Sequence, residues 1–128
     1  MICEDHSMFI NSLYPFPGPY ISYYDKNMPV ETLQTILKNE KDRTGYFELA
    51  AVLATPDGNT REYSYKVNIE ISSNIIGNDG NWDKVLMLEG ENKTFSQKAN
   101  EGIIEVNNVW NKNFINILHD ILNINTEK

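Results

Sequence analysis

Residues 46–71 read YFELAAVLATPDGNTREYSYKVNIEI. Tyr46 to Ala54 is almost continuously apolar, the pattern of a strand covered on both faces. Thr55-Pro56-Asp57-Gly58-Asn59 then supplies a turn, with Pro presetting its φ and Gly accepting a positive one. Beyond the turn the pattern changes. Tyr63, Tyr65, Val67, Ile69 and Ile71 alternate with Ser64, Lys66, Asn68 and Glu70. This is period two, with one face buried and one wet. The stretch predicts a long β-hairpin.

Upstream, residues 2–5 and 8–13 read as two short strands or one bent strand, with Cys3 a small buried hydrophobe. Pro15, Pro17, Gly18 and Pro19 form a stiff corner, because each Pro fixes its φ and removes a donor. Tyr20, Ile21, Tyr23 and Tyr24 follow on a short helix opened by Pro19. Pro29 opens a second helix with Val30, Leu33, Ile36 and Leu37 on one face. Downstream, Gly77 to Gly80 is a loop and Lys84 to Leu88 a short buried strand. From Val109, the residues Trp110, Phe114, Ile117, Leu118, Ile121 and Leu122 recur at helical spacing, giving an amphipathic final helix.

The bulk numbers exclude several classes. At 128 residues the chain is one domain by size, spanning residues 1–128. No apolar run reaches the roughly 18 to 20 residues that span a bilayer, and the first residues are acidic where a secretory signal is basic. A net charge of −7 opposes broad attraction to nucleic acid or anionic lipid. The lone Cys3 cannot form an internal disulfide, which fits a reducing compartment. The expectation is a cytoplasmic protein with no membrane contact. Asn92-Lys93-Thr94 matches a glycosylation sequon that has no use without a secretory route. His6 and His119 lack metal-ligand spacing and are not assigned chemistry.

Four motifs occur in a shared order: Glu4-Asp5-His6-Ser7 through Leu13, then Pro17-Gly18-Pro19-Tyr20-Ile21, then Trp82-Asp83, then Thr94-Phe95-Ser96-Gln97. In order and spacing they resemble the inosine triphosphate pyrophosphatase (Ham1-like) family, most nearly its eukaryotic form. The hairpin from Asp42-Arg43-Thr44-Gly45 to Pro56-Asp57-Gly58 is similar to that family's central hairpin. The resemblance implies an α/β fold: a remnant of the family's mixed sheet, with a long central hairpin and flanking helices. In the family the Glu4-Asp5 run lies in the middle of the chain, so residues 1–128 resemble its carboxy-terminal two thirds, a single shortened domain.

In the active family a metal-bound water splits the triphosphate into nucleoside monophosphate and pyrophosphate. That chemistry needs carboxylates for Mg²⁺, cations for the phosphates and a pocket for the purine. By resemblance Glu4 and Asp5 occupy the metal position, with Asp5 the vestige of the catalytic acid. Trp82 and Asp83 occupy the base-recognition position, Asp83 able to accept from a purine edge. The alternative for Trp82 is a core or interface aromatic.

The cations are not matched. The family's Ser-His-Arg falls on Asn107-Asn108-Val109, the Lys before it on Ile103, and the Lys after Pro-Gly-Pro-Tyr-Ile on Ser22. In the base motif, the stacking Phe falls on Gly80, the next Gly on Asn81 and the Pro on Lys84. Amide, isopropyl and hydroxyl groups do not replace the charge-assisted bonds of Arg and Lys. One positioned donor is worth about 10²- to 10³-fold in rate, so losing several abolishes chemistry.

Three functions follow as expectations. The first is a catalytically inactive relative retained as a docking module, anchored by Tyr14, Tyr20, Tyr23 and Tyr24. The second is a non-catalytic purine nucleotide-binding protein. The third is a pyrophosphatase completed by another chain or a homodimer partner, needing Mg²⁺ if it turns over. Otherwise no cofactor is implied. The partner is another protein or a larger assembly; an acidic chain can join a ribonucleoprotein through protein surfaces or a few local contacts.

Overall fold

The structure is a computed structural model and describes residues 1–103 and 109–126. Its elements run β1 (Ile2–Ile10), β2 (Pro17–Gly18), α1 (Ile21–Asn27), α2 (Val30–Ile36), β3 (Thr44–Ala54), β4 (Thr60–Ile71), β5 (Leu86–Leu88), α3 (Phe95–Glu101) and α4 (Lys112–Thr126). The strands form one sheet in the order β2-β1-β3-β4-β5. Every pairing in it is antiparallel. The α/β class, the central hairpin and the flanking helices are as expected. The parallel pairings of a mixed sheet do not occur among these five strands.

The hairpin is the centre. β3 and β4 pair from Thr44↔Glu70 to Ala54↔Thr60 around the Pro56-Asp57-Gly58 turn, and β1 lies along the other side of β3. Period two holds on β4, where Val67, Ile69 and Ile71 are buried and Ser64, Lys66 and Asn68 are exposed. On β3 the expectation of two covered faces fails. Leu49, Ala51 and Leu53 are buried, while Ala50 and Val52 between them are exposed. Among the described residues all helices pack on one face, so the apolar run of β3 is half solvated. The same geometry exposes Cys3, which lies opposite Val52 on the bare face rather than in the core.

Two covers share the packed face. Over the β2 end, Met8, Ile10, Leu33, Leu37, Ile69, Ile71, Trp82 and Val85 form a dry cluster under α1, α2 and the 3-10 turn Trp82–Lys84. Each such side chain contributes about 1.5–3 kcal/mol of burial. Val30, Leu33 and Leu37 point inward as the Pro29 helix predicts, whereas Ile36 stays exposed. Gly45 is required where β1 crosses β3, because a Cβ there would stand 2.4 Å from the Phe9 carbonyl oxygen. Over the hairpin-tip end, α4 is the sole cover among the described residues, with Ile117 on Ala51 and Leu53. Phe114, Leu118 and Leu122 of the same helix remain exposed.

Candidate functional site

Five elements meet in a pocket of about 180 Å³ lined by His6 of β1, Ile21, Ser22 and Asp25 of α1, Phe47 of β3, Trp82-Asp83 of the 3-10 turn and Leu86 of β5. The first turn of α1 sets Ile21, Ser22 and Asp25 on one helix face, since positions three and four apart are neighbours there. β1 and β3 present His6 and Phe47 from the packed face of the sheet, with Phe47 opposite Met8.

Trp82 is buried and structural. Its indole N–H donates to the Met28 carbonyl at 2.9 Å, and its backbone N–H donates to Asp25 Oδ1 at 3.0 Å. Asn81 completes this clamp: its carboxamide accepts from the Val30 N–H and donates to the Asp25 and Met28 carbonyls. The segment that resembles a base-recognition motif thus ties together the α1–α2 corner. Gly80 closes the stacking position. It has φ 73°, and a Cβ there would lie 2.7 Å from Asp83 Oδ2.

Asp83 is exposed as a residue, yet its carboxyl is crowded at the pocket wall. Burial, then the neighbouring Asp25 and Asp79 carboxylates, push its pKa above the usual carboxylate range. Asp25 is the site residue the sequence reading missed. Its one-turn spacing from Ile21 was the available signal, but nothing in the sequence placed α1 against Trp82.

The acidic pair does not form one metal site. Adjacent strand residues point to opposite faces. Glu4 lies on the packed side with His6 Nε2 at 3.0 Å and Asn113 at its edge, while Asp5 pairs with Ala50, whose side chain is on the bare face. A Mg²⁺ carried in on a nucleotide's phosphates would meet one of these carboxylates and not both. No group of three or more His, Cys, Asp or Glu able to hold a metal occurs among the described residues.

Arg43 and Lys98 are likewise committed elsewhere. The Arg43 guanidinium donates to the carbonyls of Ile71, Leu37 and Ser72 and to the Gln34 side chain, fastening α2 to the base of the hairpin. Lys98 forms an ion pair with Glu91. Ile103 is an exposed hydrophobe and Val109 packs against the cluster of Leu49, Val67 and Leu88. Asn107 and Asn108 lie outside the described residues. Thr94-Phe95-Ser96-Gln97 opens α3 as a capping box, Thr94 Oγ1 accepting from the Gln97 N–H at 3.1 Å and Gln97 Oε1 from the Thr94 N–H at 2.9 Å.

The tyrosines divide. Tyr14, Tyr20 and Tyr23 are exposed, whereas Tyr24 turns inward and meets Phe16 edge-on at 4.8 Å between ring centres. Tyr14 extends an aromatic row through Phe9 to Tyr46 on the bare side of the sheet.

A Ham1 protein from Staphylococcus aureus superposes with a TM-score of 0.70 at 26% identity, over 99% of this chain and 67% of its own. A HAM1 protein from Coxiella burnetii shares the fold with a TM-score of 0.67 at 16% identity. The chain also resembles dITP/XTP pyrophosphatases from Hyperthermus butylicus, 33% identical over 98 residues, and Saccharolobus solfataricus, 30% identical over 102. These alignments cover 76% and 79% of this chain but 51% and 53% of the relatives. The chain therefore spans about half the length of the curated relatives it matches. The Ham1 family model matches residues 1–104. The chain belongs to the Ham1 family.

Proposed function

We propose that this chain is a non-catalytic member of the Ham1 family that serves as a docking module in a larger assembly. The observation that carries the reading is the charge of the pocket wall. Asp25 and Asp83 line it, and no Lys or Arg does among the described residues. A triphosphate entering there meets carboxylates with no compensating cation, the reverse of what phosphoryl chemistry requires. Exposed Tyr14, Tyr20 and Tyr23, with Phe114 and Leu118 on α4, offer aromatic and apolar area suited to protein contact.

A second reading has one specific observation behind it. The pocket sets Phe47, His6, Ser22 and Asp83 around a space suited to a small planar group, with the Asp83 carboxyl able to accept from a base edge. Calorimetric titration with inosine triphosphate and Mg²⁺, followed by assay of the same solution for pyrophosphate, separates the readings. No heat and no pyrophosphate is the expected outcome. Binding without turnover would replace the docking reading with purine recognition, and turnover would establish an enzyme completed by another chain.

A further inference from the structure

We propose that a hollow at the base of the hairpin binds a free α-amino acid with an apolar side chain, its carboxylate held by Lys41 and Arg43 and its ammonium by Glu70. The site shares no residue with the pocket beside Trp82 and does not rest on the docking reading.

The hollow has a volume of about 390 Å³, within the range of small-molecule sites. It opens where β3 begins and β4 ends. Thr44, Glu70 and Met87 line one side of it. They are register partners across β3, β4 and β5, so their side chains stand in a row on one face of the sheet. Lys41 and Arg43, from the segment before β3, and Ser72 and Ser73, just after β4, line the rest.

The charges carry the inference. Lys41, Arg43 and Glu70 border one cavity, yet none of them belongs to an ion pair among the described residues. Asp42, between the two cations in sequence, spends its carboxylate on the N–H and hydroxyl of Thr44. The hollow thus presents both signs of charge, and they do not neutralise each other. A simple cation meets Lys41 and Arg43, and a dianion such as phosphate meets Glu70. A small molecule that carries a carboxylate and an ammonium satisfies both.

The hydrogen-bonding groups divide in the same way. Arg43 makes four bonds, to the carbonyls of Ile71, Leu37 and Ser72 and to the Gln34 side chain. These fix its guanidinium and leave one of its five N–H groups unspent. Ser72 Oγ accepts from the Asn74 N–H at 3.0 Å and keeps its own proton for an acceptor. With the Lys41 ammonium, these are donors for a carboxylate. For the ammonium, Glu70 Oε1 accepts from the Gly90 N–H at 3.2 Å, and Oε2 is left to accept. The half-buried Met87 thioether gives an adaptable apolar surface to the ligand's side chain. A residue at a polypeptide terminus fits less well, because a peptide bond removes one of its two charges.

The test is an amide-shift titration of the full 128-residue chain with L-leucine, N-acetyl-leucine, leucinamide and inorganic phosphate. Leucine is expected to give saturable shifts confined to residues 41–44, 70–73 and 87–90. N-acetyl-leucine and leucinamide should each bind about tenfold more weakly, the worth of one hydrogen bond to a charged group. Lys41→Ala and Glu70→Gln should weaken leucine binding by a similar factor, with shifts elsewhere in the chain unchanged as proof of folding. No saturable shift with leucine overturns the proposal. Equal binding of N-acetyl-leucine overturns it by removing the ammonium contact, and equal binding of leucinamide does so by removing the carboxylate contact. Binding of phosphate in place of leucine would make the hollow an anion site and overturn the amino-acid assignment.

Discussion

The two ends of the packed face are made from the same three strands and behave differently. At the β2 end, β1, β3 and β4 lie under two helices and a 3-10 turn, and Met8, Ile10, Leu33, Leu37, Ile69 and Val85 are fully buried. At the hairpin-tip end, among the described residues, the same strands lie under α4 alone, and the buried cluster shrinks to Ala51, Leu53 and Ile117. The alternation of side chains is continuous across both. What changes is the number of elements above it. Stability is therefore concentrated at one end.

The largest expected effect probes that contrast directly. Leu33→Ala should cost about 3–5 kcal/mol, because its fully enclosed site cannot collapse, while Ile117→Ala should cost nearer 2 kcal/mol. Denaturant midpoints of the two variants measure the difference. Equal costs would mean that α4 encloses its end as tightly as the thick cover does.

Arg43→Lys comes next. A single ammonium cannot serve three carbonyls and Gln34, so a loss of about 1–3 kcal/mol is expected. Removing the α3 capping box with Thr94→Ala should cost about 1 kcal/mol. Its readout is faster amide exchange in residues 95–98 with little change elsewhere.

Asp83→Asn should give the smallest effect, and one with a sign. Asp83 holds its proton more tightly folded than unfolded. It contributes stability below the ordinary carboxylate range, and that contribution is lost as pH rises through its raised value. The Asn variant does not titrate. Relative to the parent it should gain stability as pH rises through that window and show no gain below it. Thermal melts on both sides of the carboxylate range check this. A parallel pH dependence for parent and variant would remove Asp83 from the account.

Much of the fold was legible in the residues. The hairpin followed from an apolar run, a Pro-Asp-Gly turn and strict alternation, and α2 and the last helix followed from 3.6-residue spacing. β3 was misread because a continuous apolar run is ambiguous: it fits a strand covered on both faces, but Ala50 and Val52 are small enough to face water at little cost. Cys3 was misread with it, for the same bare face. The site was less legible. Strand alternation alone could have separated Glu4 from Asp5. The pocket partners Asp25 and Phe47 could not have been paired with Trp82, since contacts between residues so far apart in sequence leave no local pattern.

Local periodicity and motif order thus determined the central hairpin, α2, the last helix and membership of the Ham1 family, because these depend on neighbours along the chain. Only the tertiary structure decided which side of the sheet stays bare, which carboxylates share a space, and that Trp82 serves as a clamp at the α1–α2 corner. Those outcomes depend on which elements stack above the sheet, and stacking joins residues whose separation in sequence carries no signal.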